Sequence, residues 1–150
     1  MDWGVLASWI GAVGTVFLAA VALYELQRLR RENRVGRTMD ALQQFQTSEV
    51  LHASSREIFK RRLPDGTYRD IAEARRDIMV YLNYLDGLAI GARQNVYDIN
   101  IIKDHMKFVI EHAVEKLLEN PNLSELRGYF PILKGLYDEI QQDKRQTSRL

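Results

Sequence analysis

Residues 3–24 read WGVLASWIGAVGTVFLAAVALY, twenty-two consecutive positions without a charged side chain. As an α-helix rising ~1.5 Å per residue this stretch is about 33 Å long. A hydrocarbon core of ~30 Å takes roughly 20 apolar residues. Apart from the aromatic tips, Ser8 and Thr15 are its only polar side chains. Each can hydrogen-bond back to its own helix, so neither is costly in lipid. The expectation is a transmembrane helix over residues 3–24.

Three other readings compete. A cleaved signal peptide has a basic start and a short apolar core. The chain instead opens Met1-Asp2 and its apolar run is longer, although Ala20-Val21-Ala22 has the shape of a cleavage site. A helix lying on the membrane surface needs a charged face, and none exists here. A buried helix of a globular core is an unusual place for so long an uncharged run.

Working outward, the next residues are ELQRLRRENRVGR, with Arg28, Arg30, Arg31, Arg34 and Arg37. Arginines close to a span stay on the cytoplasmic side. Residues 1–2 are therefore expected outside, and everything from residue 25 inside, at a bacterial inner membrane. Trp3 and Tyr24 stand at the two interfaces, where amphipathic rings are favoured. The arginines read first as topology and lipid-headgroup contacts. In an oligomer they also form a basic ring able to hold an anionic ligand such as a nucleotide.

On a helical wheel the apolar stretch sorts by size. Ser8, Ala12, Thr15, Ala19 and Ala22 step by four and three, the seam of a left-handed coiled coil. Gly11 joins Ala7, Thr15 and Ala19 in a parallel ridge. Lipid accepts Leu and Ala alike, so an anchor alone needs no such sorting. Small faces let backbones approach, and close packing drives association in a bilayer. Self-association is the expectation. Four copies enclose a narrow axis lined by Ser8, Gly11, Ala12, Thr15, Ala19 and Ala22, a pore able to gate by dewetting.

The rest reads as helix throughout: an all-α chain in which a single membrane helix continues into a small cytoplasmic bundle. Residues 25–67 make a juxtamembrane stalk and turn, with a bend expected at Gly36 and a turn at Leu63-Pro64-Asp65-Gly66-Thr67. A domain over 68–142 follows. Its first helix is expected from about Tyr68 to Arg93, buried through Ile71, Ala74, Ile78, Leu82 and Leu85. Residues 94–97 are a loop and Asp98 an N-cap. The next helix runs to about Glu119, with the stripe Ile102, Met106, Val109, Ala113 and Leu117. Asn120-Pro121 stops it, Ser124 caps a short helix, and Pro131 opens a last one ending near Gln142. The tail 143–150 is expected to fray.

Candidate chemistry is sparse. With no Cys in the sequence, disulfides, thiolate nucleophiles and the common zinc sites are excluded. His105 and His112 share a helix face but lack ligands at metal spacing, and His52 stands apart, so no metal is expected. No glycine-rich phosphate loop occurs; Gly87 and Gly91 read as close-packing positions within a helix. Asn83, Asp86 and Arg93 lie along one side of that helix as a polar interhelical cluster. No nucleophile, cofactor loop or catalytic constellation emerges, and an enzyme is not expected.

The segment YLNYLDGLAIGARQNVYDINIIKDHM (81–106) resembles the central signature of a bacterial and phage domain-of-unknown-function family. The resemblance rests on Leu82-Asn83, Asp86, Gly91-Ala92-Arg93 and Asp98, and extends over roughly residues 39–140. It implies a membrane helix joined to a helical cytoplasmic domain and supplies no reaction. In size and layout the chain is also similar to small membrane effectors of anti-phage systems of the Hailong type. That likeness implies a channel held shut by an oligonucleotide signal from a partner nucleotidyltransferase, disrupting membrane potential in abortive infection. The rival expectation is a non-conducting adaptor whose cytoplasmic bundle docks a partner protein.

Overall fold

The computed structural model describes residues 3–147, with side chains from Thr15 onward. Among the described residues every regular element is helical. The first, α1, runs from Trp3 to Thr47, 45 residues and roughly 67 Å. No helix is, among the described residues, long and apolar enough to cross a membrane. Side chains 3–14 of the expected span lie outside the described residues, and with them Ser8, Gly11 and Ala12.

The bend expected at Gly36 is absent: α1 passes straight through it. The break comes at Ser48. Its backbone turns extended (ψ 107°) and its side chain accepts from Leu51 N–H, starting α2 (Glu49–Arg61). A serine hydroxyl replaces the missing carbonyl partner at a helix start, whereas a lone glycine inside a helix costs only about 1 kcal/mol.

The turn at 63–67 forms as expected. Gly66 takes φ +83°, a conformation open to glycine. Asp65 accepts from both the N–H and the hydroxyl of Thr67. The turn closes with a single antiparallel bridge between Arg62 and Tyr68. Tyr68 is thus an extended, buried residue rather than the start of a helix. The following helix, α3 (Ile71–Arg93), begins after Asp70, and Ile71 is exposed.

The core forms around α3, which packs on α2, α4 (Ile99–Ala113) and α5 (Pro131–Thr147). Ala74, Ile78, Leu82 and Leu85 are fully buried at helical spacing. On α4 the buried residue is Ile110 rather than Val109, which is half-buried. The helix then widens into a π turn at Val114–Leu118. Asn120, not Ser124, caps the 3-10 stretch Pro121–Tyr129 by accepting from Asn122 N–H. In α5, Leu133, Leu136 and Ile140 face the core, each worth about 1.5–3 kcal/mol of burial. The expected fraying after Gln142 does not occur up to Thr147. Lys103 pairs with Asp143 at 2.9 Å and Lys144 pairs with Glu111, tying the last turns to α4.

Candidate functional site

The half of α1 that follows the apolar stretch is built from good helix formers, so it stays helical although much of its surface is uncovered. Arg28 is neutralised by Glu32 one turn on, at 2.9 Å. Arg30, Arg31, Arg34 and Arg37 have no carboxylate within 4.0 Å among the described residues. Arg30, Asn33, Arg34 and Arg37 sit at i, i+3, i+4 and i+7, hence on one face.

That face looks at the loop between α3 and α4. The loop folds tightly over the end of α3, with the Gly91 carbonyl accepting from both Val96 and Tyr97 N–H at 2.8 and 3.1 Å. The Tyr97 ring covers Gly91 so closely that a Cβ there would stand 2.3 Å from Tyr97 Cδ2. Gly91 is therefore the close-packing position expected, though it receives a loop aromatic rather than a helix. Gly87 faces open space, so its expected packing role is not found. Asn95 takes φ +58° at the loop's apex.

Together Arg30, Asn33, Arg34, Arg37, Asn95 and Val96 bound an open cleft of about 570 Å³. Its two walls are pinned to each other. Thr38, completely buried, donates to Arg34 C=O at 2.7 Å and accepts from Asp98 N–H at 2.8 Å. One turn further, Tyr84 donates from α3 to Ala41 C=O at 2.5 Å. Phe45 packs on the same tyrosine, ring centroids 5.4 Å apart. Asp98 meanwhile caps α4 by accepting from Asn100 N–H. The positive end of the α4 dipole thus points toward a wall of unpaired arginines.

A second cleft, about 370 Å³ between Leu118, Glu119, Arg127 and Lys134, differs in kind. Lys134 pairs with Glu119, and Arg127 donates to the carbonyls of Leu118 and Glu119. Its charges are spent on closing the end of the π turn. The α1 cleft instead gathers three arginines without a carboxylate partner among the described residues, together with the amide of Asn95.

The other sequence candidates are dispersed. Thr15, Ala19 and Ala22 are exposed on α1. Asp86 accepts from Leu133 N–H at 3.0 Å, capping α5 from α3. Asn83 is exposed, and Arg93 lies two turns away on a shallow wall with Glu139, which pairs with Lys103 instead. These three polar residues do not form one cluster. Among the described residues no three metal-binding side chains converge. His52 hydrogen-bonds Gln46 C=O, His105 is exposed and His112 stacks on Phe59. Thr38 and Asn95 escape sequence reading. The only local signals are a β-branched hydroxyl inside an arginine run and the polar Gln94-Asn95 after a helix.

Residues 12–128 match a domain of unknown function, DUF4760. The chain belongs to the DUF4760 family. The matched region takes in both walls of the basic cleft and the latter half of the apolar stretch, and ends before α5. The DUF4760 match starts well before residue 39, where the resemblance in the sequence had its edge. No curated protein and no solved structure matches the chain significantly.

Proposed function

We propose that this DUF4760 protein is a homo-oligomeric, single-pass membrane effector in which an anionic signal bound beside the membrane controls a pore. The reading rests on one observation above the others: α1 is unbroken from Trp3 to Thr47. The apolar residues 3–24 and the cleft arginines thus belong to one rod, and the rod is bonded to the bundle at Thr38 and Ala41. A ligand that tilts or rotates the rod at Arg34 and Arg37 moves its far end as well. Packed cores respond to such shifts as two-state elements rather than by smooth deformation.

The ligand class follows from the wall chemistry. Four guanidinium-bearing or amide side chains on α1 and one amide on the loop suit a phosphate-rich anion, held bidentately by arginine. A nucleotide or oligonucleotide fits this description, as does the output of a partner nucleotidyltransferase in an anti-phage system. Copies meet through the small face of residues 8–22, a tetramer being the smallest assembly with an axial opening.

The test is expression in cells loaded with a membrane-potential dye. Depolarisation is expected when the pore opens, and Arg34→Glu with Arg37→Glu should change its dependence on the signal. Stoichiometry in detergent decides the pore separately. Four or more copies support it; a monomer or dimer refutes it and leaves the adaptor role.

A further inference from the structure

Beyond Tyr24, one side of α1 carries a pattern that the bundle does not use. Thr38, Ala41, Leu42 and Phe45 face the bundle. Leu26, Leu29, Asn33 and Gly36 lie on another side of the helix, and all four are exposed. Gly36 stands roughly 160° around the helix from Thr38. A Cβ placed on Gly36 would meet no atom within 4 Å, so the bundle leaves that side open.

These four residues recur at intervals of three, four and three, the a and d positions of a heptad repeat. Leu26 and Asn33 take a; Leu29 and Gly36 take d. Ala22 precedes them at d. The same register puts Glu25 and Glu32 at g, and Arg30 and Arg37 at e. In a parallel coiled coil a g side chain reaches the e side chain five residues on in the neighbouring helix, and charges there set partner and orientation. Two copies of α1 side by side in register therefore bring Glu25 against Arg30 and Glu32 against Arg37, on both flanks of the seam. An antiparallel pair would set glutamate against glutamate and arginine against arginine. Within one chain Glu25, Arg30 and Arg37 form no ion pair among the described residues, and Arg28 occupies only Oε1 of Glu32. Asn33 is the kind of polar a residue that fixes register by meeting its own copy. The seam stops at the next a position, Asp40, where two copies would oppose carboxylates. Arg34, on the bundle side of Arg30 and Arg37, is left to the α1 cleft.

We propose that residues 22–36 of α1 form a parallel, in-register coiled coil with a second copy of this chain. The pairing requires neither a pore nor a membrane span in residues 3–24. The experiment uses the full chain in detergent. The sequence has no Cys, so a single introduced cysteine reports its neighbour. Gly36→Cys should give disulfide-linked dimers on mild oxidation, because a parallel register sets each d position beside itself. Arg28→Cys, off the seam, should not. Charge then reads the orientation. Glu25→Arg with Glu32→Arg, and separately Arg30→Glu with Arg37→Glu, should each lower self-association roughly tenfold, the scale of several exposed ion pairs lost. Mixed together, the two variants should associate with each other, since opposite charges again face across both flanks. The four reversed residues are exposed, so the helicity of the bundle should not change. No cross-link at position 36, equal cross-linking at 28 and 36, or a mixture that associates no better than either variant alone overturns the proposal.

Discussion

At the scale of single residues, two small residues carry more of the architecture than the arginines beside them. Among the described residues Thr38 alone bonds α1 to the start of α4 through its side chain, and it is completely buried. Thr38→Val keeps the shape but strands Asp98 N–H. A buried donor left without a partner costs about 1–3 kcal/mol, to be read as a lowered denaturant midpoint in detergent. Unchanged stability would show that water replaces the hydroxyl. Gly91 is the second. Gly91→Ala drives a methyl into the Tyr97 ring, an overpacking of about 1–3 kcal/mol. Adding Tyr97→Ala should remove most of that penalty, so the double variant should be less destabilised than the sum of the singles. Additive losses would mean that the ring and the glycine do not meet. Both residues were hard to weigh from sequence. A threonine or glycine inside a helical run has many ordinary explanations, and only its neighbour across the fold selects one.

At the scale of elements, α1 holds the informative pattern. The four-and-three seam of Thr15, Ala19 and Ala22 continues past the apolar stretch through Leu26, Leu29, Asn33 and Gly36. Leu26 and Leu29 are 44% and 53% exposed. The side that is slim in residues 8–22 carries leucine at 26 and 29, the spacing of a coiled-coil seam. Leu29→Glu should therefore reduce self-association in detergent, seen by sedimentation, while leaving the bundle's helicity intact. Equal sedimentation of the variant and the native chain argues that α1 does not pair with itself there. The existence of α3, α4 and α5 was legible from periodicity, because a buried face of 3.6 period marks each, whereas α2 read as a continuation of the stalk. Boundaries were less so. Gly36 looked like the weak point, but a capping serine twelve residues on ends the helix, since the capped break gains hydrogen bonds and the glycine site loses none.

At the scale of the whole molecule, stability should fall at both ends of the pH range. Burial pushes the Tyr81 hydroxyl up to about 12 from 10.0. Above pH 10 the unfolded chain releases that proton while the folded chain keeps it, so stability declines as pH rises from 10 toward 12. His112 is shifted the other way, lowered from 6.5 by burial first and then by Lys116 and Arg62. The unfolded chain takes up its proton near pH 6.5 and the folded chain only at lower pH. The contribution of a neutral His112 is therefore complete above 6.5 and is lost as pH falls from 6.5 through the folded value. Denaturation midpoints measured across pH should show both slopes, and His112→Gln should flatten the acid one. A midpoint that rises between pH 10 and 12 would contradict the burial of Tyr81.

By itself the sequence determined the helical class, the turn at 63–67, the cap at Asp98 and the uncharged run at 3–24. Each of these is local, set by periodicity, backbone preference or charge within about a dozen residues. The tertiary structure alone decided that Asp86 caps α5 and that Asn95 faces the arginines. Those pairings join groups distant in the chain, and which of them meet depends on how the helices pack around α3. Packing follows from burying all the apolar faces at once, a condition that no short stretch of sequence contains.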